Sequence, residues 1–433
     1  MSAKASTGGD AIQADTLREQ VQLEALAANR ATGLLSDDGV AAALGGIAAL
    51  VRERRAEILA ENRADVEAAE GRLDEGTVDR LRLDDGRIDA LATQAVAMSE
   101  LPPLEREIGE RRLPNGLTVQ ERRIPIGTVG ANFEARPNVA LDVAAQLLKS
   151  RNTGILRTGG AALRTVTCLV DRVLRPALED AGLPAAAIGL VRSPEREGAR
   201  VLCSLRARIP LVILRGSGET TAALQRLAAE HGVRTLAHAE GGGVLYVHGS
   251  ADRERLLALA GASLDRLGVC NRLNLALVDR AAVQLLPDLL ALFRRTGVAV
   301  YGTSAAAAHA EVLPLEEPVG HEWANDAERV ASVTVHVTES LDEAVRIANE
   351  ETSGLAAGIV AQDEAAAGRF LEGYRGTVAA WHASTRFADG FELTGAPETG
   401  INVDWTPGPR GPVTYRDLWL RQYRVLGDGS QRR

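Results

Sequence analysis

Residues 124–157 read Ile-Pro-Ile-Gly-Thr-Val-Gly-Ala-Asn-Phe-Glu-Ala-Arg-Pro-Asn-Val-Ala-Leu-Asp-Val-Ala-Ala-Gln-Leu-Leu-Lys-Ser-Arg-Asn-Thr-Gly-Ile-Leu-Arg. A short apolar run, Gly127–Phe133, gives way to a helix-length stretch, Val139–Ser150, and then to a second run, Thr153–Arg157. Strand-length and helix-length segments in alternation are the pattern of βαβ units on a parallel sheet. The alternation continues. Further runs lie at Leu211–Leu214, Val244–Val247 and Leu273–Val278, with helical patterns at Ala162–Ala181, Glu219–Glu230 and Arg253–Leu267. A second series follows at Ala281–Arg295, Val298–Val300, Val333–Val337, Leu341–Glu350, Ala357–Ala361, Glu364–Tyr374 and Thr377–Ala383. The chain is expected to be a doubly wound α/β protein.

Outside this body the rhythm differs. Ala14 to about Ala97 is helical in pattern, and Leu101-Pro-Pro ends it. Arg112–Arg123 alternates around Pro114-Asn-Gly, which predicts a hairpin. Gly390–Arg433 is rich in Gly and Pro, with extended segments near Leu418–Leu426. A hairpin and a tail that leave the domain bodies are natural elements for joining copies of the chain, because strand edges seek partners.

The chain has 433 residues, 45% hydrophobic and 25% charged, long enough for two or three globular domains. Its formal charge of −9 argues against a nucleic-acid binder, which needs a basic face. No apolar run approaches a membrane span and no signal-type core opens the chain, so a cytoplasmic protein is expected. Only Lys4 and Lys149 are lysines, which draws attention to Lys149 as a position that requires an ammonium.

Three cysteines occur, Cys168, Cys203 and Cys270, without metal-type spacing, and no metal site is expected. Cys168 and Cys203 sit in apolar helical stretches and read as buried small hydrophobes. Leu267-Gly-Val-Cys-Asn271 places Cys270 after a turn-forming segment and before a strand. There a thiol is either a nucleophile or one more core residue. The glycines of 124–160, with Lys149 and Arg157, suit close approach of a phosphate or nucleotide, although glycines in turns commonly serve only the turn. Arg215-Gly-Ser-Gly-Glu219 is an anion cradle or a plain helix cap, and His238 a base or a hydrogen-bonded core histidine.

Taken together, these residues resemble the γ-glutamyl phosphate reductase (glutamate-5-semialdehyde dehydrogenase) family of the aldehyde dehydrogenase superfamily, from about Arg18 to Gly427. The carriers are Ile58-Leu-x-x-Asn62-x-x-Asp65, Asp79-Arg-Leu-x-Leu83, Leu113-Pro-Asn-Gly116, Pro125-Ile-Gly, Glu134-Ala-Arg-Pro-Asn-Val139, Leu148-Lys-Ser, Ile155-Leu-Arg157, Val269-Cys-Asn271 and Ala383-Ser-Thr-Arg-Phe-x-Asp-Gly390. The resemblance implies an aldehyde dehydrogenase-like fold. It comprises a Rossmann-like NADP-binding domain (11–110 and 125–264), an α/β catalytic domain (265–385) and oligomerisation elements (111–124 and 386–433).

It also implies an NADPH-dependent reductase of an acyl phosphate, γ-glutamyl phosphate or a close analogue, through a thioester on Cys270. The Cys270 N–H and the side-chain amide of Asn138 or Asn271 are the oxyanion candidates. The cofactor set is Lys149, Arg157, Gly160, Gly216, Ser217 and His238, with the glycine at 160 and the cations leaving room for a 2′-phosphate. Oxidising relatives carry a water-activating Glu near His238, so a thioester here is expected to exchange with phosphate rather than hydrolyse. An upstream amino-acid kinase and further copies of the chain are the expected partners. The alternatives are the same chemistry on an acyl thioester, or a non-catalytic scaffold.

The acyl side departs from the family pattern. Arg272-Leu-Asn274-Leu275 stands where the family continues Ala-x-Glu-Thr, Leu355-Ala-Ala357 replaces His-Ser-Asp, and His382 replaces Asn. The Lys-Leu-His-Ala-Arg-Gly-Pro segment is reduced to Gly408-Pro-Arg-Gly-Pro412, and the Glu-Tyr/Phe pair expected near Asp326-Ala327 is not cleanly present.

Overall fold

The structure, a computed structural model, describes residues 8–73, 75–216, 218–238, 241–266, 269–323, 331–404 and 408–431. The chain divides into two compact units. The first comprises 1–237, 396–400 and 413–433, and the second 238–395 and 401–412.

The first unit opens with the helices Gly8–Thr32, Asp37–Glu53, Arg55–Ala69, Glu75–Leu81 and Asp85–Glu100. Ser36 and Asp84 cap two of them, accepting from the N–H groups of Gly39 and Arg87. They pack by the apolar stripe Val40, Leu44, Ile47 and Val51. The sheet has the order Ile188–Leu190, Thr153–Thr158, Thr128–Phe133, Leu211–Arg215, Arg234–His238. Its pairings from Ile188–Leu190 through Leu211–Arg215 are parallel. Thr128–Phe133 is buried throughout, as a central parallel strand must be. The chain lays that strand first, winds outward to Ile188–Leu190, then crosses back to its other side. The switch point therefore lies between Thr128–Phe133 and Leu211–Arg215, where α/β sheets bind ligands at the strand C-termini.

The expected hairpin is present as Glu107–Arg112 and Thr118–Pro125. The tail strand Trp419–Leu426 pairs antiparallel with Thr118–Pro125 along its whole length, making a three-stranded sheet. The helix expected over Ala162–Ala181 is wound as a π-helix over Val170–Leu174. Pro176, just beyond, lacks the N–H that an α-helical turn needs there.

The second unit holds a seven-stranded parallel sheet in the order Leu313–Pro314, Ala299–Gly302, Ser332–Thr338, Leu273–Asp279, Gly243–Val247, Ala356–Val360, Val378–Trp381. The contact boundary falls after Ala237 and not near residue 265. The reason is that Gly243–Val247 pairs with both Leu273–Asp279 and Ala356–Val360 and so belongs with the second sheet.

Candidate active site

Four adjacent strands of the second sheet begin side by side: Leu273–Asp279, Gly243–Val247, Ala356–Val360 and Val378–Trp381. Cys270 sits at these leading ends. It is half-buried and packs against the apolar cluster of Leu355, Ala356, Ala388 and Ile401. The Gly241-Gly242-Gly243 run has a physical reason. A Cβ on Gly241 would lie 2.7 Å from Cys270 Cβ, one on Gly242 3.0 Å from Asn274, and one on Gly243 2.5 Å from Thr385 Oγ1. No L side chain fits there, because real Cβ atoms do not approach so closely.

Asn271 does not fit the oxyanion role considered for it. Its Nδ2 donates to the carbonyls of Arg386 (3.1 Å) and Ala388 (3.0 Å), so both amide hydrogens are committed. Its Oδ1 accepts from Arg386 Nη1, while Arg386 Nε donates to Asp265 Oδ1 at 2.7 Å. Thr385 Oγ1 donates to the Asn271 carbonyl (2.8 Å), and the Ser263 and Ser384 hydroxyls bond each other (3.0 Å). The Ala383-Ser-Thr-Arg-Phe-x-Asp-Gly390 signature thus clamps the segment that carries the cysteine. Asn274 does similar work, donating to the His321 carbonyl and accepting from Trp323 N–H.

The other two cysteines are buried, as expected. Burial pushes the Cys168 thiol up to about 11 and the Cys203 thiol up to about 12. Neither supplies thiolate at neutral pH.

In the first unit the residues around the switch point are polar. Arg157 ends its strand almost fully buried, with Nη1 donating to Asn132 Oδ1 (3.1 Å) and Nη2 to the Glu195 carbonyl (2.9 Å). Desolvation lowers its pKa. Arg157 Nε and Thr158 Oγ1 are buried without a hydrogen-bond partner among the described residues. A Cβ on Gly216 would lie 2.9 Å from Oε1 of the exposed Glu134, so the glycine lets that carboxylate lie close against the backbone at the strand end. Asn138 donates to Asp142 Oδ2 (3.1 Å), and burial raises the Asp142 carboxyl to about 6. A groove of about 920 Å³ includes Gly160, Arg164, Arg72 and Pro194 in its lining.

Lys149 is not brought to this end. The helix Asn138–Lys149 runs back from the strand C-termini, so its last residue lies at the opposite edge of the sheet, where Nζ donates to the Ser99 carbonyl (3.1 Å). Ser217 and the His238 side chain lie outside the described residues, as does the Asp326-Ala327 segment. Sequence reasoning did not single out Arg164 and Arg72. Among the described residues no group of three or more His, Cys, Asp or Glu could hold a metal ion, and no helix is long and apolar enough to cross a membrane.

No family model matches the chain. It is similar to the γ-glutamyl phosphate reductases of Kineococcus radiotolerans (35% identity over 82% of each chain), Clavibacter michiganensis subsp. michiganensis (37%, 90% of each) and Methylocella silvestris (35%, 96% of each). Among solved structures, γ-glutamyl phosphate reductase from Thermotoga maritima superposes with a TM-score of 0.88 at 28% identity, covering 95% of this chain and 99% of that one. An acetylating aldehyde dehydrogenase from Geobacillus thermoglucosidasius shares the fold at TM-score 0.67 and 15% identity, covering 97% and 99%. These likenesses give the chain an aldehyde dehydrogenase-like α/β fold, and the chain is an oxidoreductase of that fold. Within it, the chain belongs to the γ-glutamyl phosphate reductase family.

Proposed function

We propose that the chain reduces γ-glutamyl phosphate, or a close analogue, to the semialdehyde with NADPH, through a thioester on Cys270. The observation that carries this reading is the construction around Cys270: a half-buried cysteine packed against glycine backbone, on a segment held by Asn271, Thr385 and Arg386. The Cys270 thiolate attacks the acyl carbon. The C–S bond forms, the C–O bond to phosphate breaks, and phosphate leaves with the electron pair. The Cys270 N–H and the Asn138 amide remain the oxyanion donors of this reading, since Asn271 has no amide hydrogen to spare. After reduction, the hemithioacetal oxygen loses its proton, the carbonyl re-forms, and the C–S bond breaks to return the thiolate.

The first unit fits a nicotinamide dinucleotide. Arg157 Nε and Thr158 Oγ1 are buried donors at one strand end, Gly216 directly follows the neighbouring strand, and Gly160 borders a groove whose lining includes Arg72, Arg164 and Arg172 beside Glu57, Glu61, Asp65 and Asp171. NADPH supplies the hydride when bound. Arg157, Gly160 and Gly216 would hold it, with Ser217 and His238 kept in the set by the family resemblance. Lys149 leaves the set.

Association with a second copy is supported by the edge strand Trp419–Leu426, which exposes Leu420, Tyr423, Val425 and Leu426. The functional division into cofactor domain, catalytic domain and oligomerisation elements follows the same reading. Two buried thiols left unjoined support a reducing, cytoplasmic compartment. A kinase that makes the labile acyl phosphate is the partner this chemistry calls for.

The test is NADPH formation from glutamate 5-semialdehyde and NADP, with phosphate or coenzyme A as acceptor, against Cys270→Ala. Phosphate-dependent turnover lost in the variant supports the proposal. A requirement for coenzyme A replaces the acyl phosphate by a thioester, and turnover by the variant rejects the thiol mechanism.

A further inference from the structure

Beside Cys270, three segments that precede strands come together in the second unit: Thr352–Leu355, Tyr374–Thr377 and Arg410-Gly411. Thr377 N donates to the Gly354 carbonyl (2.7 Å), Arg410 Nη1 donates to the Arg375 carbonyl, and a Cβ on Gly411 would lie 3.1 Å from Thr377 Cγ2. Glu322 joins them, its Oε1 accepting from Ser353 N–H at 3.1 Å. The group borders the nucleophile through Leu355, since a single Cβ on Gly241 would lie within 2.8 Å of both Leu355 Cδ2 and Cys270 Cβ.

The chemistry of this group is unusual for a buried place. The Tyr374 hydroxyl, the Ser353 hydroxyl and the Thr377 hydroxyl are all buried without a hydrogen-bond partner among the described residues, and Tyr374 as a whole is only 5% exposed. A buried hydroxyl without a partner costs about 1–3 kcal/mol, a cost that a polar ligand reaching these segments would remove. Arg410 and Glu322 both act electrostatically on the Tyr374 phenol, so opposite charges flank it, and Asp404 also faces Arg410. Glycine shapes the space: a Cβ on Gly376 would fall 2.0 Å from the Tyr374 ring, and Gly354 adopts φ +76°.

We propose that Arg410, Tyr374, Thr377 and Ser353, with Glu322, form the subsite that takes the α-amino-carboxylate head of the acyl substrate. Arg410 and the hydroxyls donate to the carboxylate, and Glu322 takes the ammonium. The inference rests on the reading of Cys270 as the acylated residue. It gives the altered acyl side a recognition set drawn from segments other than Leu355-Ala-Ala357.

The experiment compares wild type, Arg410→Leu and Tyr374→Phe in the phosphate-dependent oxidation of glutamate 5-semialdehyde and of pentanal, which lacks the charged head. Arg410→Leu should raise KM for the semialdehyde ~100-fold while moving pentanal less than about threefold, and Tyr374→Phe should move the same ratio about 5–10-fold. Equal losses on both aldehydes in both variants overturn the subsite. Tyr374→Phe, which keeps the ring, decides the matter if Arg410→Leu does not fold. A second measurement needs no turnover: protection of Cys270 from iodoacetamide by L-glutamate. Protection in wild type that is lost in the folded variants supports the subsite even where phosphate-dependent turnover is absent and the reductase reading fails. No protection in wild type, or equal protection in all three proteins, overturns it.

Discussion

Arg386 donates its Nη1–H to Oδ1 of Asn271, while its Nε is paired with Asp265. The residue next to Cys270 is therefore fixed by a side chain more than a hundred positions away, and its amide hydrogens are turned onto the same distant loop.

Replacing Asn271 by Asp should separate the two halves of that clamp. The contact to Arg386 survives, but an oxygen then faces the carbonyls of Arg386 and Ala388. A loss of ~2–4 kcal/mol in stability is expected, with slower alkylation of Cys270. Chemical denaturation and a timed iodoacetamide reaction check it, and an unchanged protein would show that the clamp does not hold the thiol.

Alkylation should also distinguish the cysteines. With the Cys168 and Cys203 thiols raised to about 11 and 12, native protein at pH 7.5 should take one label per chain, at Cys270. Denatured protein should take three. Mass spectrometry of the labelled peptides gives the count, and native labelling at Cys168 would contradict its burial.

Asp142 carries a pH dependence of defined sign. Its carboxyl titrates near 6 in the fold and near 4 when unfolded, so the folded state binds the extra proton between those values. This group's contribution is complete below about pH 4 and is lost as pH rises through 6. Asp142→Asn should remove that slope and stabilise the protein at pH 7 by ~1–3 kcal/mol. Melting curves from pH 4 to 8 for both proteins are the measurement, and parallel curves would refute it.

His382 adopts φ +56°, a left-handed conformation that Asn tolerates better than His. Its ring accepts from Arg255 at 3.0 Å, an exposed contact of small worth. His382→Asn should therefore raise Tm by about 1–4 °C. A fall in Tm would mean that the Arg255 contact outweighs the backbone strain.

Much of the architecture could be read from local pattern. Thr128–Phe133, Leu273–Asp279 and Ala356–Val360 are apolar runs, because a strand covered on both faces has no solvent side to record. Arg234–His238 and Ile188–Leu190 escaped that reading, the first being too polar and the second only three residues long. Cys270 was visible because glycine and a following strand mark a turn. Lys149 misled because rarity is a property of composition, whereas its position depends on which way the helix runs. Arg410 was visible only as part of the shortened Gly408-Pro-Arg-Gly-Pro412 segment, and Tyr374 and Glu322 gave no signal, since nothing local ties segments so far apart to one another.

The first unit is not continuous in the chain. Gln146 in its middle donates to the carbonyl of Pro397 and accepts from Tyr415 N–H at 2.6 Å, and Trp419–Leu426 closes the strand pairing of Thr118–Pro125. On the ribosome, Gln146 emerges well before either partner, by roughly ten seconds to a minute at ordinary elongation speeds. Throughout that interval the edge of Thr118–Pro125 stays open, whereas the second unit needs only 401–412 beyond its long stretch 238–395. Translation thus sets an order in which the second unit can mature first, and the part made first is the last to be finished.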